Sequence, residues 1–488
     1  DWFGGRNSVA QISAGNDLLE PGTNRQWRAL KKAARSGELS ISDIDKATRR
    51  ILTLIFKTRK MRNYSYNNNP DLEKHAQISR NSATEGIVLL RNNNVLPLTI
   101  QRNVALLGVT SYEFISGGSG SGDVNEAYTV SLEEGLKNAG FEINKKAKEI
   151  FEAHKSLNSE GFKRPEGLQV IFNPFTPPEM TYTRDQLDQI VATSDIGILT
   201  LGRNSGEGGD RKEKDDFLLT ENEQDMIRKI TESFHKAGKK VVIVLNIGGV
   251  IETASWKGQT DAILLAWQGG QEAGNSVADI LIGKVNPSGK LPMTFPIKLS
   301  DHASNSNFPK NPKMWSLEGM IKNMIFPPNE RPDAKKIKDE DYTYYDEGIY
   351  IGYRHFDKSD LNVSYPFGYG LSYTDFKYES MNVEVKNDTI NIEITIKNIG
   401  NVPGKEIIQF YTEKLNSEID RPIQELKAFI KTKIIEPNSV ERASIQIPIS
   451  ELRYWNEANN DWSLERGTYL VKSGMSSRDI KLISNINL

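Results

Sequence analysis

Glu207 stands where a carboxyl group could do acid–base work. The apolar run Ile196–Leu201 leads directly into Gly202-Arg203-Asn204-Ser205-Gly206-Glu207-Gly208-Gly209-Asp210-Arg211. Loops at the carboxyl ends of parallel strands are where α/β sheets place ligands. The three glycines around Glu207 permit a tight, irregular loop that projects a carboxylate. Taken alone, a glutamate in such a loop is an ordinary solvated side chain. A second glycine-rich stretch, Ser116-Gly117-Gly118-Ser119-Gly120-Ser121-Gly122-Asp123-Val124, invites a phosphate-binding reading. It lacks the Lys-Ser/Thr of a P-loop, and no Gly-x-Gly-x-x-Gly opens a helix after it, so a nucleotide site is disfavoured. The five histidines (His75, His154, His235, His302, His355) have no metal-ligand spacing, and Cys is absent. Thiolate zinc sites, disulfides and cysteine nucleophiles are thereby excluded, and a structural zinc site is disfavoured.

Several motifs fall in an order that resembles glycoside hydrolase family 3, the retaining β-glucosidases. The chain opens Asp1-Trp2-Phe3-Gly4-Gly5, passes through Ala14-Gly15-Asn16-Asp17-Leu18 and reaches Pro21-Gly22. Further matches are Ser205 through Arg211, Glu85 to Asn92 with Leu96-Pro97-Leu98, Ala266 to Glu272, Gly283 to Pro296, Phe367 to Tyr373 and Arg421 to Lys427. Glu20 departs from the Met common at its position in the family. The resemblance implies that Asp1 is the nucleophile, at the end of a late strand of a (β/α)8 barrel. It implies that Glu207 is the acid/base and that Trp2 forms an aromatic wall under the sugar. It also implies that the Ser116–Val124 loop leans into the active site, with Ser121 touching substrate and Ser119 nearly as good a choice; a plain surface loop stays open. Asp210 and Arg211 are expected to hold the acid/base loop through a salt bridge, and Trp267 to be a core residue. Retaining glycoside hydrolysis needs two carboxyl groups about 5–5.5 Å apart, one ionised and one protonated.

The same resemblance implies that most of the barrel would precede Asp1. The groups that grip the sugar hydroxyls would then lie upstream, and residues 1–488 alone would lack a complete sugar pocket. The implied substrate is a small β-glycoside with a terminal β-D-glucosyl residue. A β-xyloside or arabinoside specificity, and a non-catalytic carbohydrate-binding role, stay as alternatives. The N-acetylglucosaminide branch fits less well, since it takes its acid/base from an Asp-His pair.

The elements that must position these residues can be read from periodicity. Residues 1–62 read as loop, helix, turn, helix, the remnant of a barrel domain. Ser42 is expected to cap the second helix with Asp45 in capping-box position, and Ile44, Ala47, Ile51 and Leu54/Ile55 form its stripe. Residues 63–70 read as a linker. Residues 71–300 alternate helical stretches with apolar runs at Ile87–Leu90, Val104–Gly108, Ile196–Leu201, Val241–Leu245 and Ala262–Leu265. Continuous apolar runs suggest a parallel sheet buried on both faces, an α/β sandwich. A capping box, Thr220 with Glu223, should start one helix. Residues 301–372 read as an irregular connection. Residues 373–488 alternate strictly, as at Ile390, Ile392, Ile394 and Ile396, and at Met381, Val383 and Val385. Turn signals recur at Asn387-Asp388, Gly400-Asn401, Pro437-Asn438 and Gly467, so a fibronectin III-like β-sandwich is expected. The fold class is thus multidomain, α/β plus all-β.

The 62 Lys and Arg nearly cancel the 64 Asp and Glu, for a net charge of −2. No basic stripe suits nucleic acid, and no polybasic helix or apolar run of 18 residues suits a membrane. The compartment and a homodimeric assembly are left open.

Overall fold

The computed structural model describes residues 7–98, 103–122, 124, 126–164, 175–205, 211–307 and 345–488. Two compact units divide the chain, Asp1–Leu72 and Glu73–Leu488.

In the first unit, helices α1 (Ser8–Ser13), α2 (Asn24–Ser36) and α3 (Ile41–Lys57) enclose a small core of Ile12, Leu19, Ala33 and Leu39. Thr23 and Gln26 form a capping box on α2, which stops at Gly37 in the left-handed conformation. The cap of α3 is Ser40 rather than Ser42: its hydroxyl accepts from the Ser42 amide at 3.1 Å. Ser40 is the last extended residue after the Gly37 stop, so Ser42 is already inside the first turn. The Arg50 Nε donates to both Asp17 carboxylate oxygens at 2.8 Å, tying the loop after α1 to α3. That hydrogen bond holds the Asp17 carboxyl below its ordinary value. Ala47 is buried, whereas Leu52, Leu54, Ile55 and Phe56 at the far end of α3 are exposed.

In the second unit, α4 (Leu72–Gly86) feeds β1 (Val88–Asn92). The sheet continues with β2 (Asn103–Leu107), β3 (Glu142–Ile143), β4 (Ile196–Arg203), β5 (Lys240–Ile247) and β6 (Ala262–Leu265), in the order β1-β6-β5-β4-β2-β3. Strands β2 to β6 are parallel, but β1 runs antiparallel to β6. The expected parallel sheet is thus present, with one antiparallel strand, β1, added at its edge. Apolar continuity reports burial on both faces and carries no information on direction, and α4 delivers the chain to an edge without a crossover. Helices α5 (Leu132–Asn138), α6 (Lys145–Leu157), α7 (Arg184–Thr193), α8 (Glu221–Lys236) and α9 (Ala273–Leu281) accompany the strands. The Thr220–Glu223 capping box starts α8, whose Met226, Ile227, Ile230 and Phe234 are buried.

The segment expected to be irregular holds a helix, α10 (Tyr353–Lys358), and a short strand, β8 (Val363–Tyr365), which pairs with β7 (Phe295–Pro296). The β-sandwich follows. One sheet joins β9 (Phe376–Lys386), β10 (Thr389–Asn398) and β13 (Val440–Pro448). The other joins β11 (Ile407–Lys414), β12 (Glu425–Lys431), β16 (Thr468–Ser476) and β17 (Asp479–Asn487). Ile390, Ile392, Ile394 and Ile396 all face the core, and Asn387 and Asp388 turn the β9–β10 hairpin with φ of 50° and 56°.

Candidate functional site at the carboxyl edge of the sheet

Polar side chains gather where β4 and β5 end. Arg203, the last residue of β4, is held bidentate by Glu223 at the start of α8, at 2.5 and 2.7 Å. Its Nε donates to the Asp216 carbonyl at 3.0 Å. Asp216 in turn accepts from Arg211 Nη1 at 2.7 Å and from the Lys212 amide at 2.9 Å. Arg211 Nη1 also donates to the Asn204 carbonyl at 3.1 Å. The two flanks of the Glu207 loop, Asn204 and Arg211, are thus joined at their base. The partner the structure gives Arg211 is Asp216; Asp210 lies outside the described residues.

Beside this base, Asn246 at the end of β5 is fully buried and splices two loops together. Its Oδ1 accepts from the Ile115 amide at 2.7 Å, and its Nδ2 donates to the carbonyls of Ile115 at 3.0 Å and Trp267 at 2.7 Å. Trp267 is a non-glycine residue at φ 55°, a conformation that costs about 1–3 kcal/mol unless its surroundings impose it. Its ring packs against the core, as expected. The next residue, Gln268, accepts from Ser205 Oγ at 3.3 Å and donates to Asn204 Oδ1 at 3.4 Å.

The glycine-rich loop packs on the same spot. The Ser119 amide donates to the Ser205 carbonyl at 2.8 Å, and the Gly270 amide to the Ser116 carbonyl at 2.8 Å. A Cβ at Gly118 would lie 2.5 Å from the Ser205 oxygen, and one at Gly248 would lie 1.9 Å from Ser205 Oγ. Both positions therefore need glycine for contact reasons. Glu179 braces the turn after β2: one carboxyl oxygen accepts from the amides of Val109 at 2.8 Å and Met180 at 2.7 Å. Burial pushes the Glu179 carboxyl up to about 7, against those two hydrogen bonds, with Glu223 adding repulsion and Arg203 attraction.

Of the residues singled out in the sequence, Asp1, Trp2 and Glu207 lie outside the described residues. Ser121 falls in a short turn, Gly120–Gly122, of which the backbone alone is described. The structure does bring the Ser116–Gly122 loop against Ser205, two residues before Glu207. Asn246, Gln268, Asp216 and Glu179 were missed as supports. A polar residue closing the apolar run of β5 was the signal for Asn246; nothing local marked the others. Among the described residues, no group of three or more His, Asp or Glu could hold a metal ion, and no helix is long and apolar enough to cross a membrane.

Residues 87–373 match the glycosyl hydrolase family 3 C-terminal domain. This chain belongs to family 3. Residues 406–477 match the fibronectin type III-like domain, so the β-sandwich is this family 3 chain's second recognised module. Among relatives, β-glucosidase A of Butyrivibrio fibrisolvens is 32% identical over 459 residues, covering 84% of this chain and 51% of the relative. An exo-α-(1→6)-L-arabinopyranosidase of Bifidobacterium breve is 26% identical, covering 98% of this chain and 57% of the relative. Among solved structures, β-glucosidase 3B of Thermotoga neapolitana, in complex with α-D-glucose, superposes with a TM-score of 0.85 at 36% identity. All of this chain and 65% of that one are covered. The family 3 chain thus spans about half the length of the curated relatives it matches.

Proposed function

We propose that this family 3 chain carries the two catalytic carboxyl positions of a retaining β-glycosidase, acting on terminal non-reducing β-D-glucosyl residues of a small glycoside. In this reading Glu207 protonates the glycosidic oxygen while the Asp1 carboxylate attacks the anomeric carbon, forming a glycosyl ester. Glu207 then takes a proton from water, which releases the sugar with retained configuration. Trp2 supplies an aromatic surface for the apolar face of the pyranose, and Ser121 a hydroxyl contact. The reaction asks no metal or organic cofactor of the protein.

The observation that carries this reading is the clasped base of the 204–211 segment at the end of β4. There the flanks of a Ser-Gly-Glu-Gly-x-Asp-Arg motif are fixed by Arg203, Arg211 and Asp216 at the carboxyl edge of the sheet. The β-glucosidases among its relatives support the glucoside reading. The arabinopyranosidase supports a second reading in which the same chemistry serves an arabinopyranoside.

The test uses protein expressed from the complete natural reading frame. It compares release of nitrophenol from 4-nitrophenyl β-D-glucoside, β-D-xyloside and α-L-arabinopyranoside. The glucoside is expected to be preferred. Asp1→Asn should remove activity on every substrate. Glu207→Gln should lower it by about 10²–10⁴-fold on poor leaving groups and far less on dinitrophenyl glycosides, which need no acid. Equal loss on good and poor leaving groups would remove Glu207 from the acid role.

A further inference from the structure

The β-sandwich presents an aromatic pair that stays half exposed. Strands β14 (Tyr454–Asn456) and β15 (Asp461–Ser463) form a two-stranded antiparallel ribbon, with Trp455 directly opposite Trp462. The two indoles share one face of the ribbon, with ring centroids 5.7 Å apart and planes at 77°. They are 47% and 58% exposed. The opposite face anchors the ribbon. There the Arg421 guanidinium lies 5.1 Å over the Tyr454 ring, pairs with Glu465 at 3.0 Å and donates to the Leu452 carbonyl at 3.3 Å. Leu452 is itself buried in the sandwich core.

A cross-strand aromatic pair stabilises a ribbon. Two half-exposed indoles also leave a large apolar area in water, and smaller β-formers would serve the ribbon as well. Asn459 and Asn460 of the connecting turn are exposed, and the charges carried by this ribbon and its turn are Arg453, Glu457 and Asp461. No charge of one sign is concentrated there, so nucleic acid and anionic lipid gain nothing from this face. Exposed indole faces without a concentrated charge suit a neutral ligand with apolar ring faces, which is the chemistry of a pyranose.

We propose that the Trp455–Trp462 ribbon is a binding site for a neutral β-glucan chain, separate from the reaction site. The pyranose class follows from the ribbon; the β-glucan choice rests on the function proposed above. Rings at 77° give one sugar a floor and a wall rather than giving two sugars a flat platform. The contact is therefore weak by itself, and its use is to keep a polymer at raised local concentration.

Native electrophoresis of the full chain through gels containing soluble mixed-linkage β-glucan tests this, with dextran as the α-linked comparison. Retardation is expected in β-glucan and not in dextran. The double variant Trp455→Ala/Trp462→Ala should weaken it about tenfold or more, as loss of two stacking contacts implies. Trp462→Thr, which keeps a strand-forming residue, should lose most of the retardation while its unfolding midpoint stays near that of the parent. No retardation of the parent, equal retardation by dextran, or retardation unchanged in both variants would overturn the proposal. Retardation by a protein that cleaves no aryl glycoside would refute the proposed reaction and leave this site standing. Cleavage without retardation would do the reverse.

Discussion

Asn246 is the side chain with the most to lose at the candidate site. It satisfies one amide and two carbonyls of loops that enter from different strands, inside a fully buried environment. Asn246→Ala should strand those groups and cost about 2–3 kcal/mol, read as a lowered urea midpoint with unchanged m-value. It should also free Trp267 to leave its positive φ. A midpoint within experimental error of the parent would show that water replaces the carboxamide. Glu179 makes a prediction with a definite sign. Its carboxyl is raised from the ordinary 4.5 to about 7, so the folded chain binds a proton more readily than the unfolded chain. That contribution is fully present below about pH 4.5 and is lost as pH rises through about 7. Stability should therefore fall between pH 5 and 8, and Glu179→Gln should flatten that part of the profile in thermal melts recorded across the range.

At the scale of elements, the glycine-rich loop and the Asn204-Ser205 segment that follows β4 pack as one unit rather than as independent surface segments. The Gly118 and Gly248 contacts with Ser205 make that unit intolerant of a single methyl group. Gly118→Ala and Gly248→Ala should each cost about 1–3 kcal/mol through overpacking, with faster proteolysis at Arg211 and Lys212 as the local readout. Cleavage no faster than in the parent would mean that the loops move independently. Caps and strands were the most readable elements. Thr220 and Glu223 lie at the spacing a capping box requires, and β6 coincides with the Ala262–Leu265 run. The cap of α3 was misplaced by two residues because Ser40 and Ser42 are both competent caps. The arrest at Gly37, a backbone event, chooses between them.

At the scale of the whole second unit, the α/β layer and the β-sandwich are joined by buried charge. Lys290 pairs with Glu406 at 3.0 Å, and both side chains are nearly inaccessible. Glu85 is gripped by Lys405 and Lys431 from the sandwich side. Burial raises the Glu406 carboxyl even though Lys290 opposes it; removing Glu406 would leave the buried Lys290 charge without its ion partner. Glu406→Ala should destabilise by about 3–5 kcal/mol and split a single calorimetric transition into two; one undivided transition would deny the pair its joining role. The order of modules, the buried strands, the sandwich alternation and the motif around Glu207 are legible along the chain. Those are local properties, set by hydrophobic period, turn residues and short spacings. The antiparallel direction of β1, the Arg211–Asp216 pair, and the contacts of Asn246 and Gln268 with loops more than 60 residues away come from three-dimensional packing. These depend on which strand ends come together in space. No spacing along the chain encodes that, because a hydrogen bond has the same energy whether its partners are five residues apart or one hundred and thirty.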